Sequence, residues 1–226
     1  MKLAIHQPNF FPWYPYYHKM KSCDKFVLLT HCQYEKNNYQ NRFQLQGKWY
    51  TCRIDSSSGS KATIREKKYV DFVADWNKIK ESIPQHYVYI MDLIDMNSAS
   101  TAFKYLNNSV YRINAYIIRR CQHIMNINTE MVYDMPTYNT GTERLIEICL
   151  SYGASEYLSG PSGMKYMDME LWDNANIGVS CVSECMPYER VSMIEYIHNE
   201  LSGIHLSQLP NAKAVGLEQE SAQRKS

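Results

Sequence analysis

The sequence lacks a long apolar run, a surplus of one charge and a signal-peptide core. No stretch of its 226 residues approaches the ~18 apolar residues that a membrane-spanning helix needs. The N-terminal segment Met1–Ile5 runs directly into polar residues, far short of a secretory leader. Lysine and arginine number 24 against 23 aspartates and glutamates, whereas proteins that bind a phosphate backbone usually carry a basic surplus. We therefore expect a cytoplasmic protein that binds neither a membrane nor nucleic acid.

The chain also lacks a CxxC motif, although it contains seven cysteines. The closest pair is Cys181 and Cys185, and we expect reduced, mostly buried thiols and no metal site. Hydrophobic residues make up 45% of the chain, which is enough to bury a core. The 19 tyrosines suit ordinary packing first, and stacking on carbohydrates or bases second, because the ring combines an apolar face with a polar tip.

Apolar runs that alternate with amphipathic stretches predict an α/β fold with a three-layer, Rossmann-like parallel sheet. Strands are predicted at Lys2–Ile5, Lys25–Leu29, Met131–Tyr133, Glu156–Leu158 and Ile177–Cys181, and helices at Tyr16–Cys23, 71–83, 101–126, Thr142–Leu150 and 165–175. A hairpin is predicted over Phe43–Ile54, with its break at Gly47. We expect one domain over residues 1–210, an inserted helical and hairpin segment over 60–130 as a candidate cap, and a flexible tail over 211–226.

Ligands of parallel sheets sit outside the carboxyl ends of the strands, so the loops 6–15, 30–42, 134–142 and 159–164 are the candidate site. His6 ends the first strand and His18 lies near the start of the first helix, where two imidazoles can hold phosphate or transfer a proton. An ordinary exposed helix position explains His18 equally well. We assign His6 as the base, with His18, Asn9 or Lys36 stabilising charge, and Gln7 and Trp13 as substrate-binding residues.

The second loop is rich in amides and cations. Amides read hydroxyls and carbonyls, and arginine binds phosphate through two parallel hydrogen bonds. We assign Gln33, Asn37, Asn41 and Arg42 to the sugar or diphosphate of a substrate. In the loop after the strand at 156–158, the backbone at Ser159, Gly160 and Gly163 is a candidate phosphate contact. An ordinary turn without a ligand explains these residues equally well. No acidic DxD-like pair follows a strand, which disfavours a metal-dependent glycosyltransferase.

Several of these motifs together resemble one family. The stretches His6-Gln7-Pro8-Asn9-Phe10-Phe11-Pro12-Trp13, Tyr17-His18-Lys19 and Gln33-Tyr34-x-Lys36-Asn37-x-x-Gln40-Asn41-Arg42 resemble the start of the WbqC-like family. Gly153-Ala154-x-x-Tyr157-Leu158-Ser159-Gly160 is similar to the second half of that family. The resemblance covers residues 1–55 and 140–182.

This resemblance implies a place in bacterial O-antigen or capsule biosynthesis, beside enzymes that make nucleotide-linked amino sugars. The roles it implies are glycosyl transfer and attachment of an amino-acid group, such as glycine, to a sugar amine. The chain departs from the family pattern after the second strand, where Thr30 and His31 stand in place of an acidic pair. A base or metal ligand at that place is therefore absent or replaced by His31.

The leading hypothesis is an acyl or aminoacyl transferase, for example a glycyl transferase, that forms an amide on a nucleotide-linked amino sugar. The cofactor is open, with ATP a candidate: the first strand, loop and helix resemble the nucleotide-binding half of pantothenate-synthetase-like ligases, although their HxGH spacing is missing. An aminoacyl-tRNA donor and the oligomeric state also stay open. The alternatives are a metal-independent glycosyltransferase of the same pathway and a non-catalytic module that binds a sugar nucleotide.

Overall fold

Five short strands form one parallel sheet at the centre of the molecule. The computed structural model describes residues 1–95, 103, 105–182 and 191–203. The strands of this sheet are β1 (Lys2–His6), β2 (Lys25–Leu28), β5 (Glu130–Tyr133), β6 (Glu156–Ser159) and β7 (Gly178–Cys181), and β3 (Arg42–Leu45) and β4 (Lys48–Thr51) form a separate two-stranded sheet. The helices are α1 (Tyr14–Lys21), α2 (Phe72–Ser82), α3 (Val88–Ile94), α4 (Val110–Ile124), α5 (Gly141–Ser151), α6 (Met169–Asn174) and α7 (Met193–Leu201), with 3-10 turns at Gln85–Tyr87 and Gly163–Lys165.

The strand order in this sheet is β5-β2-β1-β6-β7, and every neighbouring pair is parallel. The chain builds outward from β1 through β2 to β5, and then returns so that β6 pairs with the other side of β1. This is the order of a Rossmann half-domain, and its direction reverses between β1 and β6. The predicted three-layer, Rossmann-like α/β fold is confirmed.

Alternation along the strands sends apolar side chains to both faces of the sheet. Leu3, Ile5 and Val27 belong to one core, together with Ile148 and Cys149 of α5 and Trp172 of α6. Ala4, Phe26 and Leu28 belong to the other core, which also contains residues of α1, α4 and α7. Helices therefore cover both faces, and each fully buried large side chain contributes roughly 1.5–3 kcal/mol to folding.

The loop after β1 is held by aromatic packing against the hairpin β3–β4 and α2. Phe10 contacts Phe43 edge-on at 5.5 Å, and Phe11 stacks on Trp76 with ring centroids 5.7 Å apart. The backbone of Phe11 is left-handed, with φ at 47°. A non-glycine residue rarely adopts this conformation unless its surroundings impose it, and here the ring of Phe11 is packed against the buried rings of Phe43 and Trp76. The loop therefore presents its polar residues from a fixed backbone.

The predicted hairpin is confirmed, with Gln46 and Gly47 at positive φ in its two-residue turn. The first helix begins at Tyr14, earlier than predicted, because proline is tolerated in a first helical turn. The helix predicted over 101–126 is interrupted: Phe103 and Tyr105 are helical, a turn with Asn107 and Asn108 at positive φ follows, and α4 runs from Val110 to Ile124. Positions 101, 102 and 104 lie outside the described residues. The helix predicted at 165–175 is reduced to α6, with Asp168 as its N-cap.

Sequence reasoning missed α3 and α7. Residues 60–130 supply α2, α3 and α4, whose apolar side chains belong to the same core as one face of the sheet, and a capping role for this segment stays a prediction. The predicted tail at 211–226 lies outside the described residues. Within the described ranges, the chain forms no helix with the length and apolar character to cross a bilayer.

Candidate functional site

A cavity of about 530 Å³ opens where the strand order reverses. We call it the switch-point cleft. Its wall is formed by Ile5, His6 and Gln7 at the end of β1, by Pro15, Tyr16 and Lys19 of α1, by Ser159–Gly163 after β6, and by Trp13, Leu29, Leu145, Tyr157 and Val182. Open α/β sheets bind their ligands at this point, because the loops of two neighbouring strands diverge there. The cleft brings together six of the predicted site residues, which are His6, Gln7, Trp13, Ser159, Gly160 and Gly163.

His6 is held in one tautomer in this cleft. Its Nδ1 lies 3.2 Å from the carbonyl oxygen of Gln7, which can only accept, so Nδ1 carries the proton and Nε2 keeps a lone pair. Burial, followed by the neighbouring Lys19 cation, lowers the pKa of His6 to about 3 against the opposing effect of the Gln7 carbonyl. His6 is therefore a neutral hydrogen-bonding group at pH 7 and a weak proton acceptor.

Lys19 is a cleft residue that sequence reasoning missed. It is only 6% exposed, and its Nζ donates to the carbonyl oxygen of Ile5 over 2.9 Å. Burial lowers the pKa of Lys19 to about 8, although the thiols of Cys23 and Cys181 raise it. A substantial fraction of this amine is neutral near pH 8 and can accept a proton. The sequence feature that could have identified Lys19 is its position one helical turn after Pro15 and Tyr16, on the apolar side of α1.

Of the four predicted catalytic residues, His18, Asn9 and Lys36 do not line the cleft, and the catalytic role of Lys36 stays a prediction. His18 lies on another side of α1, with its ring 6.1 Å from that of Tyr14. Its Nδ1 is buried and has no hydrogen-bond partner among the described residues. Asn9 is buried in the loop after β1, and its Oδ1 also has no partner within the described part of the chain. Catalytic roles for His18 and Asn9 stay predictions.

The loop after β6 is a tight turn. Gly163 donates its N–H to the carbonyl oxygen of Gly160 over 3.0 Å, so this donor is already used within the turn. A Cβ at Gly163 would collide with Oγ of the buried Ser159. A larger residue at position 163 therefore requires the Ser159 hydroxyl to move, and the predicted phosphate contact of this loop stays a prediction.

The other predicted residues line a second cavity of about 890 Å³, which we call the cationic cavity. It lies between the loop after β2, the hairpin and the segment at 55–60. Its lining contains the predicted Gln33, Lys36, Asn37, Asn41 and Arg42, and also the unpredicted Tyr34, Glu35, Thr51, Cys52, Arg53, Ile54, Ser56, Ser60 and Lys67. The structure thus divides the single predicted site between two cavities.

A buried amide connects the two cavities. Gln40 donates from Nε2 to Oε1 of Gln7 over 2.7 Å, and its own Oε1 accepts the backbone N–H of Glu35 over 3.1 Å. Asn114 of α4 donates to the carbonyl oxygens of both Pro8 and Gln40, at 2.7 Å each. Gln7 lines the cleft and Glu35 lines the cationic cavity, so these bonds fix the two walls relative to each other.

A row of aromatic rings makes a second connection at the surface. Trp13 of the cleft lies 4.9 Å from Tyr39, and Tyr39 lies 5.5 Å from Trp49, measured between ring centroids. The guanidinium of Arg42 sits over the ring of Trp49 at 4.2 Å. Three contacts therefore lead from a wall of the cleft to a wall of the cationic cavity.

Asp134 forms a separate buried cluster at the carboxyl ends of β2 and β5. Its carboxylate accepts from N and Oγ1 of Thr30 at 2.7 Å each, from N and Nδ1 of His31 at 3.1 Å each, and from Arg144 at 2.7 Å. Burial raises its pKa, but the bonds from Thr30 and His31 outweigh this and lower it overall. Thr30 and His31, which replace the expected acidic pair, are thus bound to a carboxylate from the loop after β5.

Comparisons with known proteins place the chain in one family. The WbqC-like protein family matches residues 7–202. The uncharacterized protein Rv1507c of Mycobacterium tuberculosis (strain ATCC 25618 / H37Rv) is 27% identical over 192 residues, which cover 79% of this chain and 80% of that protein. No solved structure matches the chain. Because the family match covers residues 7–202, which is most of the chain and includes the cationic cavity and the cleft residues from Gln7 onward, we conclude that this chain belongs to the WbqC-like protein family.

Proposed function

We propose that the protein is an acyl or aminoacyl transferase that forms an amide on the amine of a nucleotide-linked amino sugar. The observation that carries the proposal is the buried amine of Lys19, which lies in the switch-point cleft with a pKa lowered to about 8 by burial. Membership of the WbqC-like family supports a setting in surface-polysaccharide biosynthesis. A glycyl group is one acyl group consistent with that setting.

Amide formation needs a neutral amine as the nucleophile and a group that accepts its proton. Neutral Lys19 takes the proton that the neutral sugar amine loses as its nitrogen attacks. The new C–N bond forms at the acyl carbonyl, the bond from that carbonyl to the donor's leaving group breaks, and Lys19 returns the proton to that leaving group. This assignment moves the role of base from His6 to Lys19, because a pKa of about 3 leaves His6 a poor proton acceptor.

His6 keeps a role as a hydrogen-bonding group. Its unprotonated Nε2 accepts an N–H of the sugar amine and directs the nitrogen lone pair toward the acyl carbon. The half-exposed ring of Trp13 offers an apolar face to the sugar, and the amide of Gln7 offers polar contacts. These residues bind and orient, while Lys19 transfers the proton.

The test is a comparison of Lys19→Met with Lys21→Met, a matched change at an exposed position of the same helix. Purified variants are incubated with a nucleotide-linked amino sugar and activated acyl donors, including ATP with glycine, and the products are identified by mass. We expect Lys19→Met to lose at least about 100-fold in turnover, a general-base contribution, and Lys21→Met to lose little. Unchanged turnover in Lys19→Met would overturn the assignment. A product heavier by a sugar would indicate the glycosyltransferase, and binding without any product would indicate a binding module.

A further inference from the structure

We propose that the cationic cavity is a second ligand site and that it binds a polyphosphate, two or more linked phosphates of a nucleotide. This inference goes beyond the proposed transfer reaction, because it concerns a cavity separate from the cleft that holds Lys19. It rests on the charge of the lining, on an unsatisfied donor within it and on the aromatic row that leads away from it.

The lining carries more positive than negative charge. Among its described residues, the cations Lys36, Arg42, Arg53 and Lys67 face a single carboxylate, that of Glu35. Arg53 is paired with Asp75, Nε to Oδ1, at 2.8 Å, and its charge is largely compensated. Three cations against one carboxylate remain in a chain whose overall charge is nearly balanced. A local surplus of this kind attracts a multiply charged anion.

Arg42 supplies a donor that the protein itself does not satisfy. Its guanidinium lies over Trp49 and donates to the carbonyl oxygen of Asn37. Its Nε is buried and has no hydrogen-bond partner among the described residues. A buried charged donor without a partner is costly, so this N–H favours an acceptor that arrives with a ligand. Phosphate oxygens suit arginine because its planar group can form parallel hydrogen bonds with them.

Lys67 provides a second, fixed cation. The residue is buried, and its Nζ donates to the carbonyl oxygen of Gly59 over 2.7 Å. An ammonium has three donors, so two remain after this bond. Ser56 and Ser60 also line the cavity, and their hydroxyls are neutral donors. A lining that combines several cations with neutral donors matches several linked phosphates better than a single carboxylate.

The aromatic row indicates where the rest of the ligand lies. Trp49 contacts Arg42, and the row continues through Tyr39 to Trp13 in the wall of the cleft. A base or sugar attached to the bound phosphates can stack on these rings. Two kinds of nucleotide carry the required group, namely the nucleoside diphosphate that bears a sugar and a free nucleoside triphosphate such as ATP.

The test is calorimetric titration of the full chain with pyrophosphate, UDP and ATP. We expect pyrophosphate to bind, and Arg42→Gln and Lys36→Gln each to weaken binding about tenfold. Lys36 is exposed, so its substitution keeps the test valid if Arg42→Gln folds poorly. Lys61→Gln is the matched control, because Lys61 is exposed just beyond Ser60 and does not line the cavity. It is expected to bind like the wild type.

The proposal is overturned if pyrophosphate does not bind, if both lining variants bind it like the wild type, or if Lys61→Gln weakens binding as much as they do. Tighter binding of UDP than of ATP would support a sugar-bearing diphosphate as the source, and the reverse order would support a triphosphate. Lys19→Met is expected to bind pyrophosphate normally. A negative result for the transfer reaction therefore does not contradict the polyphosphate site, and a negative result for pyrophosphate binding does not contradict the proposed transferase.

Discussion

Lys19 donates a hydrogen bond from Nζ to the carbonyl oxygen of Ile5, 2.9 Å away. Ile5 belongs to the central strand β1, so the bond fixes the lysine amine at the carboxyl end of the strand beside the reversal of strand order. A flexible side chain is thereby held in one place relative to His6. Two of the predictions below follow from this contact.

The rate of the proposed transfer is expected to depend on pH through Lys19. Only the neutral amine accepts a proton, and burial lowers the pKa of Lys19 to about 8. We therefore expect kcat/KM to rise with pH and to level off above a midpoint near 8. The measurement is a pH profile of kcat/KM between pH 6 and pH 10. A flat profile across this range would show that another group accepts the proton.

Folding stability is expected to report the same lysine without any substrate. In the folded protein Lys19 loses its proton near pH 8, whereas in the unfolded chain it holds it to about pH 10.4. The unfolded state therefore binds more protons in this window, and Lys19 makes the wild type more stable as the pH rises through it. Between pH 7.5 and pH 10, the free energy of unfolding measured in urea should rise by about 2 kcal/mol more for the wild type than for Lys19→Met. An equal pH response of the two proteins would mean that Lys19 is ordinarily solvated.

Asp134→Asn is expected to destabilise the protein strongly. The side chain of Asp134 is fully buried against a largely buried Arg144, and its loss leaves that guanidinium without a compensating charge. Breaking such a pair costs about 3–5 kcal/mol. The pKa of Asp134 is lower in the folded protein than in the unfolded chain. Its contribution to folding stability is therefore fully present above the unfolded pKa of ~3.9 and is lost as the pH falls through the folded-state pKa.

Denaturant unfolding at pH 7 measures the effect of Asp134→Asn. Asp173→Asn, at an exposed position of α6, makes the same chemical change and should alter stability by less than about 0.5 kcal/mol. Similar losses in both variants would show that the Asp134 cluster contributes little.

Gly163→Ala is expected to disturb the loop after β6. The added Cβ collides with Oγ of the buried Ser159, which must give up its hydrogen bond to the carbonyl oxygen of Gly160 in order to move away. Forcing an extra carbon into a packed site costs about 1–3 kcal/mol. Removing the hydroxyl should relieve the collision. The double variant Ser159→Ala, Gly163→Ala should therefore lose less folding stability than the two single variants lose in sum. Strict additivity in thermal unfolding would contradict the assigned contact.

Local patterns in the sequence were sufficient to predict the sheet. Runs such as Lys25–Leu29 have the continuous apolar character of buried parallel strands, and the layered fold follows from their alternation with helices. Lys19 was missed because lysine on a helix is usually solvated, and only packing against the sheet and Tyr157 buries it. Asp134 was missed because its partners Thr30 and His31 come from a distant part of the chain.

The division of the site into two cavities was also not predictable from local sequence. Both groups of residues follow neighbouring strands, which indicated one shared cleft. The loop after β2 is instead anchored to the hairpin, where Asn41 donates to the carbonyl oxygen of Cys52 over 2.7 Å. Sequence spacing alone does not reveal such a contact, because it depends on how the hairpin packs.

The pairing of β1 with β6 also has a consequence for folding kinetics. The walls of the switch-point cleft come mainly from the first 19 residues and from residues 157–163, with Leu29, Leu145 and Val182 as the other lining residues. The cationic cavity is built from residues 33–67 alone. Closing a long chain loop costs entropy before its contacts form, so contacts between distant segments form slowly. We therefore expect the segment of the cationic cavity to fold before the cleft with Lys19, which is complete only when β6 pairs with β1.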